Sequence, residues 1–551
     1  MRGGTTIRIW GLNTRFRLVI LILFIFGILS YNLISISDFE YSDIIDYQSI
    51  WENSQQWFGD KFFSVSHDLG SQVHLDNVTQ LPKIQYKFSK RETRDEKLLR
   101  EFRRDSIKNG FLHAWNGYTK YAWGYDELLP TTNKGRNNFN GWGATIIDSL
   151  DTMWIMGLKE EFIRSRDFVQ SVNFTQSKNY ISVFETTIRY LGGLLSAYEL
   201  SKDKIFLEKA LELGNALLPS FNSPSGLPYN EWHLTRSESG SNYQAVLAQA
   251  GTLQLEFMKL SQLTGDSEFF FKVQNITNVL DNAKKDISGL YPLSLSHSTG
   301  TFTTSHISFG ANGDSFYEYL LKEYIYVGGA IDQYRRMYIE SIDSMHTHLV
   351  KDDIIKDRPD LLFLGELSSN QFMNEMDHLS CFVPGMLAMG SKILDRPNDL
   401  EAAIRLAETC YWTYNMTYTG IGPEKIWYST SSSNGWNLPT GLVRIDSKYI
   451  LRPETVESLF ILYRVTGDKK YQDKAWEIWQ AIDKWCKTPI AYSGLDNVNN
   501  ENVAINNNME SFFLAETLKY LYLIFSPPDV ISLDTYVFNT EAHPLLRMQR
   551  S

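Results

Sequence analysis

The chain runs to 551 residues, with a formal net charge of −11, 43% hydrophobic and 21% charged residues, and three cysteines. With no basic cluster outside the N-terminus, that balance excludes nucleic acid as an expected partner. The length allows several domains, although barrels routinely reach such sizes as one.

At the N-terminus, Arg2, Arg8, Arg15 and Arg17 precede an unbroken apolar run from Leu18 to Leu29, which continues more weakly to Ile36. A stretch such as 18–36 just spans a bilayer as one transmembrane helix. The positive flank keeps residues 1–17 cytoplasmic, so everything beyond the span faces a lumen. The alternative is a cleaved signal peptide, with Ser35 and Ser37 as small residues near the cleavage site. Sequons at Asn77, Asn173, Asn275 and Asn415 agree with a lumenal address and are candidate glycosylation sites. Residues 37–93 are polar and aperiodic and read as a stem.

Residues 94–551 read as one helical domain with an internal repeat. Apolar helices alternate with second helices marked aromatic-x-x-Lys-small, as at Phe206 to Ala210, Phe269 to Val273 and Tyr471 to Ala475. Twice the joining turn is Thr-Gly-Asp, at 264–266 and 466–468. There Gly closes one helix and Asp caps the next. Such repeats build either an open solenoid or a closed α/α barrel. Helices that are apolar on every side are buried, which favours closure. Strand signals, for example around Ser305–Phe309, are confined to loops and suit small hairpins.

The apolar helices share a second property, an acid or histidine near the start. Asp148, Glu185, Glu256, Asp314, His378, the pair Glu454 and Glu457, and Glu510 with Glu516 occur in that order. An acid in a first turn can merely complement the helix dipole. Seven repetitions on buried helices do more, because buried carboxylates are costly unless paired, hydrogen-bonded or metal-bound. In Ile-Leu-Arg-Pro-Glu-Thr-Val-Glu, Pro453 suits the first helical position and Arg452 lies beside the carboxylates. The chain has no Gly-rich phosphate loop, no His-Glu-x-x-His and no Gly-x-Ser-x-Gly. His346 and His348 fall on different faces of a helix. What remains is carboxylates, arginines and aromatics. Paired carboxylates are the tools of glycoside hydrolysis, and an oxygen-rich site suits Ca²⁺. In an oxidising lumen the odd cysteine count predicts one disulfide and one free thiol. Cys381 and Cys410 both border buried helices and are the preferred pair over Cys486; three buried free thiols are the alternative.

Five blocks carry a resemblance. Val183-Phe-Glu-Thr-Thr-Ile-Arg189, Gly313-Asp-Ser-Phe-Tyr-Glu-Tyr-Leu-Leu-Lys322, Met376-Asp-His-Leu-Ser-Cys-Phe382, Arg452-Pro-Glu-Thr-Val-Glu-Ser458 and Phe538-Asn-Thr-Glu-Ala-His-Pro544 stand in the order seen in class I α-1,2-mannosidases, glycoside hydrolase family 47. The likeness runs from about Phe102 to Pro544, and the layout most resembles the fungal endoplasmic-reticulum branch. It implies an all-α fold, an (α/α)7 barrel with small hairpins in its loops. It also implies an inverting hydrolase that trims terminal α-1,2-mannose from high-mannose N-glycans, with bound Ca²⁺. On that resemblance Glu185 is the general acid acting through water, Glu454 the general base, and Asp314 a third catalytic carboxylate with a rival claim to the acid role. Thr540 is the Ca²⁺ ligand. Asp148, Arg189, Glu256, Glu318, His378, Glu424, Arg452, Glu457, Glu516 and Glu541 hold sugar hydroxyls or waters, and Phe512 carries the sugar ring. Cys381 and Cys410 match the family disulfide, while Cys486 lacks the partner seen in relatives.

The resemblance further implies a monomer on the endoplasmic-reticulum membrane, catalytic domain lumenal, converting mainly Man9GlcNAc2 to Man8GlcNAc2 in glycoprotein quality control; early Golgi residence is the alternative. At 312 the sequence departs from the pattern: Asn312 stands where endoplasmic-reticulum members usually have Arg and Golgi members Leu. The shorter Asn grips fewer sugar hydroxyls than the fork of Arg, so substrate selection is expected to lie between the two. A broader Golgi-type enzyme and a lectin-like relative are the other readings. Retention of Glu185, Asp314, Glu454 and Thr540 argues against the lectin.

Overall fold

The computed structural model describes residues 80–89, 91–241, 243–429 and 438–548. The apolar run 18–36 and the sequon at Asn77 lie outside them. Among the described residues no helix is long and apolar enough to cross a membrane.

The described chain alternates between inner and outer helices. The inner set comprises Ala144–Asp148 with Leu150–Ile155, Val183–Glu185 running through Thr186–Leu191 into Gly192–Ser201, Gln254–Thr264, Asp314–Tyr326, Val383–Ile393, Glu454–Thr466, and Phe513–Thr517 running into Leu518–Ile524. Each packs on an outer helix, for example Asp314–Tyr326 on Asp332–His348 and Glu454–Thr466 on Lys470–Trp485. Inner helices also touch in sequence order, and the last returns to the first, so the ring is a closed barrel of helices.

Side-chain pattern explains the two layers. In Glu454–Thr466 every residue from Thr455 to Val465 is buried, and in Asp314–Tyr326 only Asp314 and Tyr324 are not. Such helices have no solvent face and require neighbours all round. Lys470–Trp485 instead buries Tyr471, Gln472, Ala475, Ile478, Trp479 and Ile482, the single stripe of an amphipathic helix. Gly265 and Gly467 end their helices with φ of 77° and 73°, a region where only glycine pays no steric penalty. Asp266 and Asp468 then accept the Glu268 and Lys470 amides at 2.9 and 3.0 Å. Pro453 sits one residue earlier than expected, immediately before Glu454. Its carbonyl accepts the Glu457 amide at 2.8 Å, so the proline still opens the helix.

Two small sheets position the site. Glu375–Asp377, Lys425–Tyr428 and Leu442–Asp446 form one. The hairpin Tyr536–Phe538 with Pro544–Leu546 forms the other, and its tip, 539–543, enters the barrel. Asn539 fixes that tip. Its amide donates to the Ile188 carbonyl at 2.9 Å and Glu256 at 2.7 Å, and its oxygen accepts the Glu541 and His543 amides. Gly192 makes the approach possible, since a Cβ there would lie 2.6 Å from the Asn539 amide nitrogen.

Within the stretch read as stem, Ile84 is buried, its amide donates to Asp534 at 2.7 Å, and the Tyr86 amide donates to the Arg464 carbonyl at 2.7 Å. Cys381 and Cys410 form a disulfide, and Cys486 is buried and free. The bridge joins the entry of inner helix Val383–Ile393 to its outer partner Pro397–Asn415. Spanning 29 residues, it restricts the unfolded chain by about 3–4 kcal/mol. Asn173, Asn275 and Asn415 are all exposed.

Candidate active site

The starts of the inner helices converge on a cavity of about 290 Å³. Seven carboxylates line it (Glu185, Asp314, Glu318, Glu454, Glu457, Glu516 and Glu541), against two arginines, Arg189 and Arg452. Asn312, Phe512 and Thr540 complete the wall. Asp148, Glu256, His378 and Glu424, also expected at the site, do not line the cavity. Asp148, His378 and Glu424 stand behind Arg189, Glu454 and Arg452, which do, while Glu256 bonds Tyr319 and Asn539 deeper in the barrel. Local backbone helps to aim the groups. Thr186–Leu191 and Phe513–Thr517 are π-helical, an irregularity frequent at functional sites, and they carry Arg189 and Glu516.

Glu454 is held as an anion. His378 Nδ1 lies 2.8 Å from its Oε2, and Arg452 Nη1 lies 3.7 Å from Oε1. Burial pushes the Glu454 carboxyl up, but the His378 hydrogen bond and the Arg452 charge outweigh it and hold it below the ordinary range. His378 Nε2 meets the Tyr414 hydroxyl at 2.7 Å, which fixes the ring. Arg452 is itself aligned by Glu424 at 2.6 Å.

Asp314 has the opposite environment. Its one close donor is the Ser315 amide at 2.8 Å. Burial pushes its carboxyl up to about 7; the Ser315 amide resists, and the charges of Glu318 and Glu454 add to the rise. Glu185 is about one-third exposed and pairs with Arg189 Nε at 2.8 Å. The Arg189 guanidinium also bonds Glu541 and lies 3.4 Å from Asp148. At the floor Lys322 bonds Glu318 and stands 3.9 Å from Glu457. Burial and the neighbouring acids, despite Lys322, push Glu457 up to about 8.

Several groups at this site were not legible as functional in the sequence. Asp151 joins His543 Nδ1 at 2.8 Å and Lys519 at 2.8 Å, all three fully buried, and His543 Nε2 reaches Asp148 at 3.2 Å. Ser511 donates to Asp148 and Lys322 braces Glu318. Only His543 and Lys322, each inside one of the five family blocks, gave any sequence signal. His346, by contrast, pairs with Asp399 at 3.1 Å.

A closed barrel of helices around an acid-lined cavity, one carboxyl held low and another pushed up to about 7, defines a carbohydrate-active site of the hydrolase type. Residues 110–547 match the model of glycosyl hydrolase family 47, and the chain belongs to that family. It is 44% identical over 466 residues to a mannosyl-oligosaccharide 1,2-alpha-mannosidase of Arabidopsis thaliana, covering 82% of this chain and 79% of the relative. It is 42% identical over 451 residues to the endoplasmic reticulum mannosyl-oligosaccharide 1,2-alpha-mannosidase of Homo sapiens, covering 81% of this chain and 64% of the relative. The solved alpha-1,2-mannosidase of Trichoderma reesei superposes with a TM-score of 0.77 at 35% identity, covering 81% of this chain and 99% of that one.

Proposed function

We propose that this protein is an inverting α-1,2-mannosidase that trims terminal mannose from high-mannose N-glycans, on an (α/α)7 barrel. The observation that carries this reading is the pair of unlike carboxyl groups facing one cavity: His378 and Arg452 bracket Glu454 and hold its carboxyl low, while burial pushes that of Asp314 up to about 7. An inverting hydrolase needs a base for water and an acid for the leaving oxygen, with space for the water between them. His378 and Arg452 keep Glu454 able to accept a proton from water at neutral pH. Asp314 retains a proton it can give to the glycosidic oxygen. Glu185, tied to Arg189, orients the sugar or relays that proton through water. Phe512 supplies an apolar face for the ring, 9% exposed at the cavity wall.

The donor chemistry supports a hard divalent cation, Ca²⁺. Among the described residues no three carboxylate, histidine or cysteine side chains converge as direct ligands. Thr540 nonetheless lines a floor made of oxygen donors with five acids in excess of arginines. Thr540 is the residue that would hold the ion, with the surrounding carboxylates balancing its charge. Such an ion, when bound, supplies electrostatic orientation of sugar hydroxyls and of water.

The relatives' names and the reading of residues 18–36 as a membrane span with a lumenal domain beyond it support an endoplasmic-reticulum enzyme anchored by its N-terminus and acting on Man9GlcNAc2. The deciding experiment incubates the purified chain with Man9GlcNAc2 and follows the released sugar by NMR. Mannose appearing first as the β anomer is the expected result. Release as the α anomer overturns inversion, and glycan binding without any release replaces the hydrolase by a lectin.

A further inference from the structure

The turn 309–314 delivers two cavity residues, Asn312 and Asp314, and they are fixed differently. Asp314 opens its own helix, and its amide donates to the Gly310 carbonyl at 2.9 Å. Asn312 is left-handed, with φ of 70°, so the direction of its side chain follows the pose of the turn. Three contacts set that pose. The Gly310 amide donates to Ser308 Oγ at 2.8 Å, and the Ala248 amide donates to the Asn312 carbonyl at 2.9 Å. The third comes from another element: Asp377 Oδ2 accepts the Ala311 amide at 3.2 Å.

Asp377 is built in. A Cβ on Gly310 would stand 2.7 Å from its Oδ2, so the turn lies directly against the carboxylate. Its other oxygen meets Lys425 Nζ at 3.1 Å, and Lys425 is its cross-strand partner in the antiparallel pair. Lys425 is held in turn by Glu375 at 3.1 Å and Glu366 at 3.5 Å. The proposed mechanism uses neither Asp377 nor Lys425, and neither lines the cavity.

We propose that Asp377, steadied by Lys425, is a positioning residue that aims Asn312 and thereby selects which terminal mannose branch enters the cavity. The inference rests on the α-1,2-mannosidase reading. Without the Asp377 acceptor the 310–312 peptides lose, among the described residues, their side-chain tie to a neighbouring strand, while Asp314 stays anchored by its helix. Branch choice then changes and bond cleavage does not.

The test compares full-chain wild type with Asp377→Ala, Asp377→Asn and Lys425→Gln on two substrates. α-1,2-Mannobiose has no branches, whereas Man9GlcNAc2 yields Man8 isomers that chromatography separates. Asp377→Ala is expected to change the ratio of first-formed Man8 isomers by about threefold or more, with kcat/KM on mannobiose held within about twofold. Asp377→Asn keeps an acceptor for the Ala311 amide and should restore most of the wild-type ratio; Lys425→Gln should fall between. An unchanged isomer ratio in Asp377→Ala and Lys425→Gln overturns the proposal. So does a parallel loss on both substrates at unaltered melting temperature, which would assign Asp377 to the support of His378. If Asp377→Ala does not fold, the ratio from Lys425→Gln decides. Wild type that releases no mannose from either substrate refutes the mannosidase reading itself, a result distinct from an unaltered ratio.

Discussion

Glu454 and Asp314 face one cavity, yet their surroundings drive their protons apart. A carboxylate that accepts from an imidazole and faces a guanidinium gains more from its charge than burial costs it. Glu454→Gln removes the acceptor for water while leaving the side chain's size unchanged. The expected result is a fall in kcat of about 10²–10⁴-fold, with glycan still bound; a variant of near-wild-type rate refutes the base. Asp314 titrates in a different range. Its folded pKa of about 7 means the proton is present below that value and lost above it. Activity that needs Asp314 protonated and Glu454 ionised therefore rises from acid pH through the low Glu454 value. It falls again as pH passes about 7. The kcat/KM profile of Asp314→Asn should lack the alkaline limb, and α-mannosyl fluoride, which needs no acid for its leaving group, should recover part of the lost rate. An alkaline limb that survives in Asp314→Asn but vanishes in Glu185→Gln gives the acid role to Glu185.

At the scale of elements, the barrel floor depends on ions with no route to water. Burial opposes charge on Asp148, Asp151 and His543. Pairing with His543, together with Arg189 beside Asp148 and Lys519 beside Asp151, outweighs that and holds both carboxyls low, while the two aspartates push the imidazole up against the opposing Lys519 charge. This network ties helix Leu150–Ile155 to Leu518–Ile524 and to the hairpin tip that presents Thr540. Lys519→Met strips one charge and leaves Asp151 with His543 and the Ser196 hydroxyl, which donates to it at 3.0 Å. Removing one partner of a buried ion set costs about 3–5 kcal/mol, so the urea midpoint should drop clearly; an unchanged midpoint would show that the network is not ionised. Such a device is hardly readable in sequence, because Asp151 and His543 are 392 positions apart and no periodicity links them. The inner helices were legible for the opposite reason. Complete burial demands apolar residues on all faces, and that pattern is local, as in Leu459, Phe460 and Leu462. The two π-helical turns were not legible, since a single extra residue per turn hardly alters a helix that is apolar all round. The five family blocks led to the catalytic acids, yet Asp377, within one of them, carried no sign of its hold on the 310–312 turn.

Taken over the whole molecule, folding gathers charge of one sign where it is most costly. Of the nine charged side chains lining the cavity, seven are acidic and two basic. Glu516 and Glu541 are both pushed well above the ordinary carboxylate range, by burial first. For Glu516 the Glu541 charge comes next; for Glu541, Arg189 opposes the rise and Asp148 adds to it. A barrel floor left in that condition stores repulsion, and the proposed divalent cation beside Thr540 would relieve it. Binding to the folded chain alone stabilises it by about 4 kcal/mol when the free ion exceeds its dissociation constant about a thousandfold. Excess EDTA should therefore lower the melting temperature and abolish mannose release together, and added Ca²⁺ should restore both. Thr540→Ala should blunt the Ca²⁺-dependent rise in melting temperature while its EDTA-treated form melts close to EDTA-treated wild type, the outcome expected if the substitution removes a ligand of the proposed ion and not a packing contact. Full activity and an identical melting curve in excess EDTA would refute the ion, and the seven carboxylates would then have to be accommodated by protonation and by their Arg189, Arg452, His378 and Lys322 partners.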